Sequence, residues 1–109
     1  MDMREKRDLA WLGDAVLALY ARQWLLDHPG HPQLTRQERF IRFTSNEFLQ
    51  SIGEPTEVEA QIGQAYRESG IEAAFQWIKT RLQPRFEQHL RKATRGRQGQ
   101  KTSLRSTRS

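Results

Sequence analysis

Cysteine is absent from all 109 residues, which excludes disulfides and thiolate metal ligands and suits a reducing cytoplasm. No apolar run approaches the roughly 20 residues of a membrane span. The charged stretch Met1 to Asp8 is unlike a signal peptide, so a cytoplasmic protein with no membrane partner is expected. The three histidines give no metal-ligand spacing: His28 and His31 fall in a Pro-Gly loop and His89 is remote, so all three are expected to be solvated. Acids are missing from one region only. Arg91 to Ser109 holds seven basic residues and no acid, whereas residues 1–90 hold eleven basic against thirteen acidic, so the net charge of +5 resides in the tail.

That tail has Leu104 as its only large apolar residue and cannot bury enough surface to fold alone. The expected organisation is therefore one helical domain over residues 1–90 and a basic disordered tail over 91–109. Arg91, Lys92, Arg95, Arg97 and Lys101 are either an electrostatic arm for RNA phosphates or a solubilising terminus.

No alternating strand pattern is present, and the fold class is all-α. A first helix is expected from Glu5 to Leu26, with Leu9, Leu12, Val16, Leu19 and Tyr20 at the spacing of a buried face. His28-Pro29-Gly30-His31-Pro32 ends it. A second helix starts at a Thr35-x-x-Glu38 capping box and carries Phe40, Ile41, Phe43, Phe48, Leu49 and Ile52 before Gly53-Glu54-Pro55 breaks it. A third runs from Thr56 to Ser69, burying Val58, Ile62 and Tyr66, with Gly70 as its cap. The fourth spans Ile71 to His89, with Phe75, Ile78, Leu82 and Phe86 inward and Pro84 kinking or splitting it. Short connections favour a compact bundle.

The most informative stretch is Leu9-Ala10-Trp11-Leu12-Gly13-Asp14-Ala15-Val16-Leu17, which sets one carboxylate in an apolar helical run directly after a glycine. A glycine within a helix costs about 1 kcal/mol relative to alanine, so Gly13 points to a close backbone approach. An acid in such a run must be paired, metal-bound or facing a cleft. Arg22, Arg36 and Arg39 are candidate partners for Asp14.

This stretch resembles the signature helix of the ribonuclease III domain. A second stretch, Thr56-Glu57-Val58-Glu59-Ala60-Gln61-Ile62-Gly63-Gln64-Ala65-Tyr66, is similar to the later helix of that family, and Ser69-Gly70-Ile71-Glu72-Ala73-Ala74 continues the likeness. The resemblance spans most of residues 7 to 90. It implies a compact helical homodimer that cleaves double-stranded or structured RNA with Mg²⁺, for which Mn²⁺ can substitute, in RNA processing such as ribosomal RNA maturation. By motif position it makes Asp14 and Glu59 the catalytic and metal-binding carboxylates. It also makes Trp11 the aromatic that enters a socket on the partner subunit, with Leu12 and Ala15 beside it. Other family acids fall on Ala10, Arg7, Thr56 and, loosely, His31. Alanine and threonine at two of these positions resemble the Mini-ribonuclease III branch, which has no double-stranded-RNA-binding domain. Roughly twenty residues that the family carries between its second and later helices are missing around Gly53 to Pro55.

Each site residue also has a plainer reading. Thr56-x-x-Glu59 is a capping-box spacing, so Glu59 is either a helix cap or a metal ligand. Trp11 either faces a partner or completes the core. Arg36, Arg39 and Arg42 recur every three residues and either line an RNA-facing surface or are simply solvated. The alternative function is a catalytically degenerate ribonuclease III fold acting as an RNA- or protein-binding dimer. A helical dimerisation module without RNA is a third.

Overall fold

The computed structural model describes residues 2–93; Arg95, Arg97 and Lys101 of the expected tail lie outside them. Every regular element among the described residues is a helix. α1 runs Met3–Asp27, opened by Asp2, whose carboxylate accepts from the Glu5 N–H at 2.8 Å. It closes at His28, where Nδ1 lies 2.8 Å from the Trp24 carbonyl and the ring stacks on the Trp24 indole at 4.2 Å. His28 and His31 are thus not merely solvated, because His31 Nδ1 accepts from the Gln33 and Leu34 N–H groups, each at 3.0 Å, and shapes the loop.

The second expected helix is two. α2 spans Arg36–Phe43 behind the Thr35/Glu38 capping box, which is formed in full. It stops because Thr44 Oγ1 donates back to the Phe40 carbonyl at 3.0 Å, while Ser45 Oγ accepts from the Phe48 N–H at 3.1 Å and starts α3, Asn46–Gln50. Hydroxyl side chains that bond nearby backbone compete with helix continuation.

α4 spans Pro55–Ser69 and ends at Gly70, whose φ of 93° is disfavoured for an L side chain. α5 spans Ile71–Arg81; Leu82 interrupts it, and a further helix, α6, occupies 83–93. The break precedes Pro84, which sits in the first turn of α6, where a missing N–H is tolerated. Arg91 and Lys92, expected to open an unstructured tail, continue α6 as exposed residues.

The core gathers Leu17, Ala21, Phe43, Leu49, Ile62, Ile78, Leu82 and Phe86, with Phe43 and Phe86 stacked at 4.2 Å and Phe48 edge-on to both. Tyr20 joins it edge-on to Phe75 and Phe43 and donates its hydroxyl to Gln83 of α6. α1 is the central helix and packs most extensively on α4.

Candidate metal centre

The α1–α4 contact is made by backbone. A Cβ on Gly13 would lie 1.7 Å from the Glu59 carbonyl oxygen, and one on Gly63 would lie 1.9 Å from the Leu9 carbonyl oxygen. The two glycines therefore clear reciprocal notches, each four residues along from the carbonyl its partner helix meets. Small buried neighbours, Ala10 and Ala60, close the crossing beside Leu9. The close approach expected of Gly13 is present. Gly63, its counterpart, was not singled out by the sequence reading, because a glycine inside a helix shows no partner until the second helix is placed.

This crossing fixes the acids. Asp14 follows Gly13, and the Glu59 backbone rests on Gly13, so the two carboxyl groups from separate motifs come within hydrogen-bonding reach of each other. Glu59 is half-buried and Asp14 exposed. The Glu59 carboxyl is pushed up to about 7, first by burial, then by the Asp14 contact and charge, with a further contribution from Glu54. None of the candidate arginines pairs with Asp14. Arg22 stacks on Phe40 at 4.3 Å and Arg39 donates to the His28 carbonyl at 2.9 Å. The ion pairs among the described residues belong to Lys6, which meets Glu57 at 3.0 Å and Glu54 at 3.5 Å.

The capping reading of Glu59 is overturned. α4 begins one residue earlier than expected, and its cap is Glu54, whose carboxylate accepts from the Thr56 N–H at 2.8 Å and the Glu57 N–H at 3.1 Å. Glu59 lies a turn further in, and its side chain is left to meet Asp14. Glu54 and Lys6 were missed by the sequence reading; Pro55 at the first helical position was the signal that the cap precedes it.

Hard oxygen donors without a cationic partner among the described residues suit a divalent ion such as Mg²⁺; burial accounts for most of the upward push on Glu59, and a cation would offset both that burial and the lesser Asp14 repulsion. The set is sparse. Ala10 is buried, Arg7 is exposed, Thr56 is half-buried, and His31 lies beyond the far end of α1. No group of three or more His, Cys, Asp or Glu suited to a metal occurs among the described residues. Two carboxylates would leave most of the coordination sphere of such an ion to water or substrate.

Beside this pair α1 presents an apolar stripe. Trp11 is 78% exposed and Leu19 44% exposed, with exposed Ala15 between them and half-buried Leu12 adjacent. Trp11 therefore does not complete the core, and Leu19, expected inward, faces out. Tyr66, also expected inward, is 39% exposed. The three regularly spaced arginines share no face: Arg36 is exposed, Arg42 is half-buried with Nη1 3.5 Å from His89 Nε2, and Arg39 is only 3% exposed. Arg39 leaves the expected RNA-facing row because it stands four residues before Phe43, on the face that enters the core. His89 is half-buried against Phe86, and burial holds its pKa below the usual imidazole range.

No family model, curated protein or solved structure matches the chain. Within the described residues no helix is long and apolar enough to cross a membrane.

Proposed function

We propose that the protein is a ribonuclease III-like endoribonuclease that cleaves double-stranded or structured RNA as a homodimer, with Asp14 and Glu59 holding Mg²⁺. One observation carries this reading. The acids of two motifs 45 positions apart meet carboxyl to carboxyl across a glycine crossing, with no ion-pair partner among the described residues. When bound there, the ion would polarise the scissile phosphate, activate water and offset charge on the leaving oxygen. Glu59, set in the helix crossing, fixes one ligand rigidly. Asp14, exposed one residue beyond Gly13, gives access to substrate from solvent. A two-fold dimer through Trp11, Leu12, Ala15 and Leu19 would present two such pairs to one duplex, one for each strand.

A specific observation favours the second reading, an RNA- or protein-binding dimer without cleavage: the centre has two carboxylates, while Glu54 and Glu57 are engaged by Lys6. Cleavage of an end-labelled RNA duplex decides between them. Discrete products with wild type and Mg²⁺, lost with chelator and at least 100-fold reduced in Asp14→Ala and Glu59→Gln while RNA binding persists, are expected. Intact RNA with a folded wild-type dimer would establish the non-cleaving reading. Products undiminished in Asp14→Ala would remove the assigned centre.

A further inference from the structure

Far from the carboxylate pair, the end of α1 and the start of α2 line two adjoining surface grooves of about 440 and 300 Å³, both open to solvent. Their shared wall is Leu25, Leu26 and Arg36. The larger is lined also by Thr35 and Arg39, the smaller by Arg22 and Phe40. Among the described residues neither is lined by an acid. Glu38, the acid in the first turn of α2, directs Oε1 to the Thr35 N–H at 2.9 Å.

Arg39 is the anomaly. It is 97% buried, one Nη donates to the His28 carbonyl, and Nε has no hydrogen-bond partner among the described residues. No carboxylate among the described residues pairs with it. A guanidinium taken from water without a counter-charge is costly, and leaving a buried donor unsatisfied adds about 1–3 kcal/mol. Burial and the neighbouring Arg36 charge both press its pKa down, the signature of a cation lacking an anion. The same groove takes in the start of α2, where Thr35 Oγ1 already accepts from the Glu38 N–H at 3.0 Å, so the helix start adds the positive end of its dipole more than free donors.

We propose that this groove is a phosphate-binding site, with Arg39 at its base, Arg36 and the α2 N-terminus at its side, and Arg22 at its rim. Planar guanidinium groups match phosphate oxygens in pairs, and the positive end of the α2 dipole favours the anion beside them. Leu26 and Phe40 give the organic part of a phosphate ester an apolar surface, and Arg22 already lies over the Phe40 ring at 4.3 Å. The ligand is a phosphate ester, either a free nucleotide or a phosphodiester of an RNA strand. The site shares no residue with the carboxylate pair, so it stands whether or not the protein cuts RNA.

The test uses the full chain and its thermal midpoint in inorganic phosphate against chloride at matched ionic strength. A midpoint rise specific to phosphate is expected, with affinity reduced about tenfold in Arg36→Gln, the loss of one charge-assisted contact. Arg39→Met is expected to abolish it, and Arg36→Gln, altering an exposed residue, keeps the test decisive should Arg39→Met unfold. Asp14→Ala must retain the response. A labelled 5′-mononucleotide then separates the sources: displacement by an RNA duplex marks the strand's phosphodiester as the ligand, and retention against excess duplex marks a free nucleotide. No phosphate-specific rise, or an equal rise in Arg36→Gln, overturns the proposal.

Discussion

Glu59 combines a cost and a use in one side chain. Its pKa of about 7 in the fold, against 4.5 unperturbed, means the native state binds more protons than the unfolded chain between these values, so stability falls as pH rises through that window. Glu59→Gln removes the loss. The variant is expected to match wild type near pH 4.5 and to exceed it above pH 7, without metal, by about 1 kcal/mol once solvent screening of the half-exposed group is allowed for. Denaturant unfolding at the two pH values checks this; a variant less stable than wild type above pH 7 would show that the ionised carboxylate makes a stabilising contact that outweighs its burial and the Asp14 repulsion. Asp14 and Glu59 were legible as candidates because two motifs carried them. That Glu59 does not cap α4 was not, since Thr56-x-x-Glu59 satisfies the capping spacing equally well; the placement of Glu54 and Pro55 at the helix start removes the cap.

Among the helices, the α1–α4 crossing is the element on which the proposed centre depends. Gly13→Ala puts a methyl within 1.7 Å of the Glu59 carbonyl oxygen, a backbone atom that cannot rotate away. The helices must separate, at a cost of about 3 kcal/mol, the upper part of the usual overpacking range. Gly63→Ala meets the Leu9 carbonyl in the same way. Both are expected to lower the thermal midpoint by similar amounts and, having displaced Glu59 from Asp14, to lower cleavage beyond the loss of stability. A midpoint within a degree or two of wild type would contradict the crossing. Gly13 was readable as an unfavourable helix residue needing a reason, whereas Gly63 was not, because its reason is another helix. The break between α2 and α3 was hidden likewise: Phe40, Phe43, Phe48 and Leu49 keep an apolar pattern through it, and it is the Thr44 and Ser45 hydroxyls that redirect the backbone.

At the scale of the whole molecule, the stripe Trp11-Ala15-Leu19 is expected to seat a second copy of the chain. Trp11→Ala, at a position 78% exposed in the single chain, should change the stability of the monomer by no more than about 0.5 kcal/mol, as surface substitutions do, yet shift the sedimentation equilibrium from dimer to monomer. An unchanged equilibrium would move the interface elsewhere. The spacing of 11, 15 and 19 was visible in the sequence, but the same run also fits an inward face beginning at Leu9, and the choice between faces is made by where α4 and α5 pack. The helical fold class followed from periodicity and from the prolines. The inward turn of Arg39 did not, although its place four residues before Phe43 carried the signal.

Asp14 and Glu59 are proposed to form one divalent-cation site. Titration of Mn²⁺ into the full chain near pH 8, where Glu59 is ionised, followed by the loss of the free-ion paramagnetic signal, tests it most directly. Saturable binding of one ion per chain, competed by Mg²⁺ and lost in both Asp14→Ala and Glu59→Gln, is expected. Equal binding by wild type and the two variants, or none by the folded wild type, would contradict it.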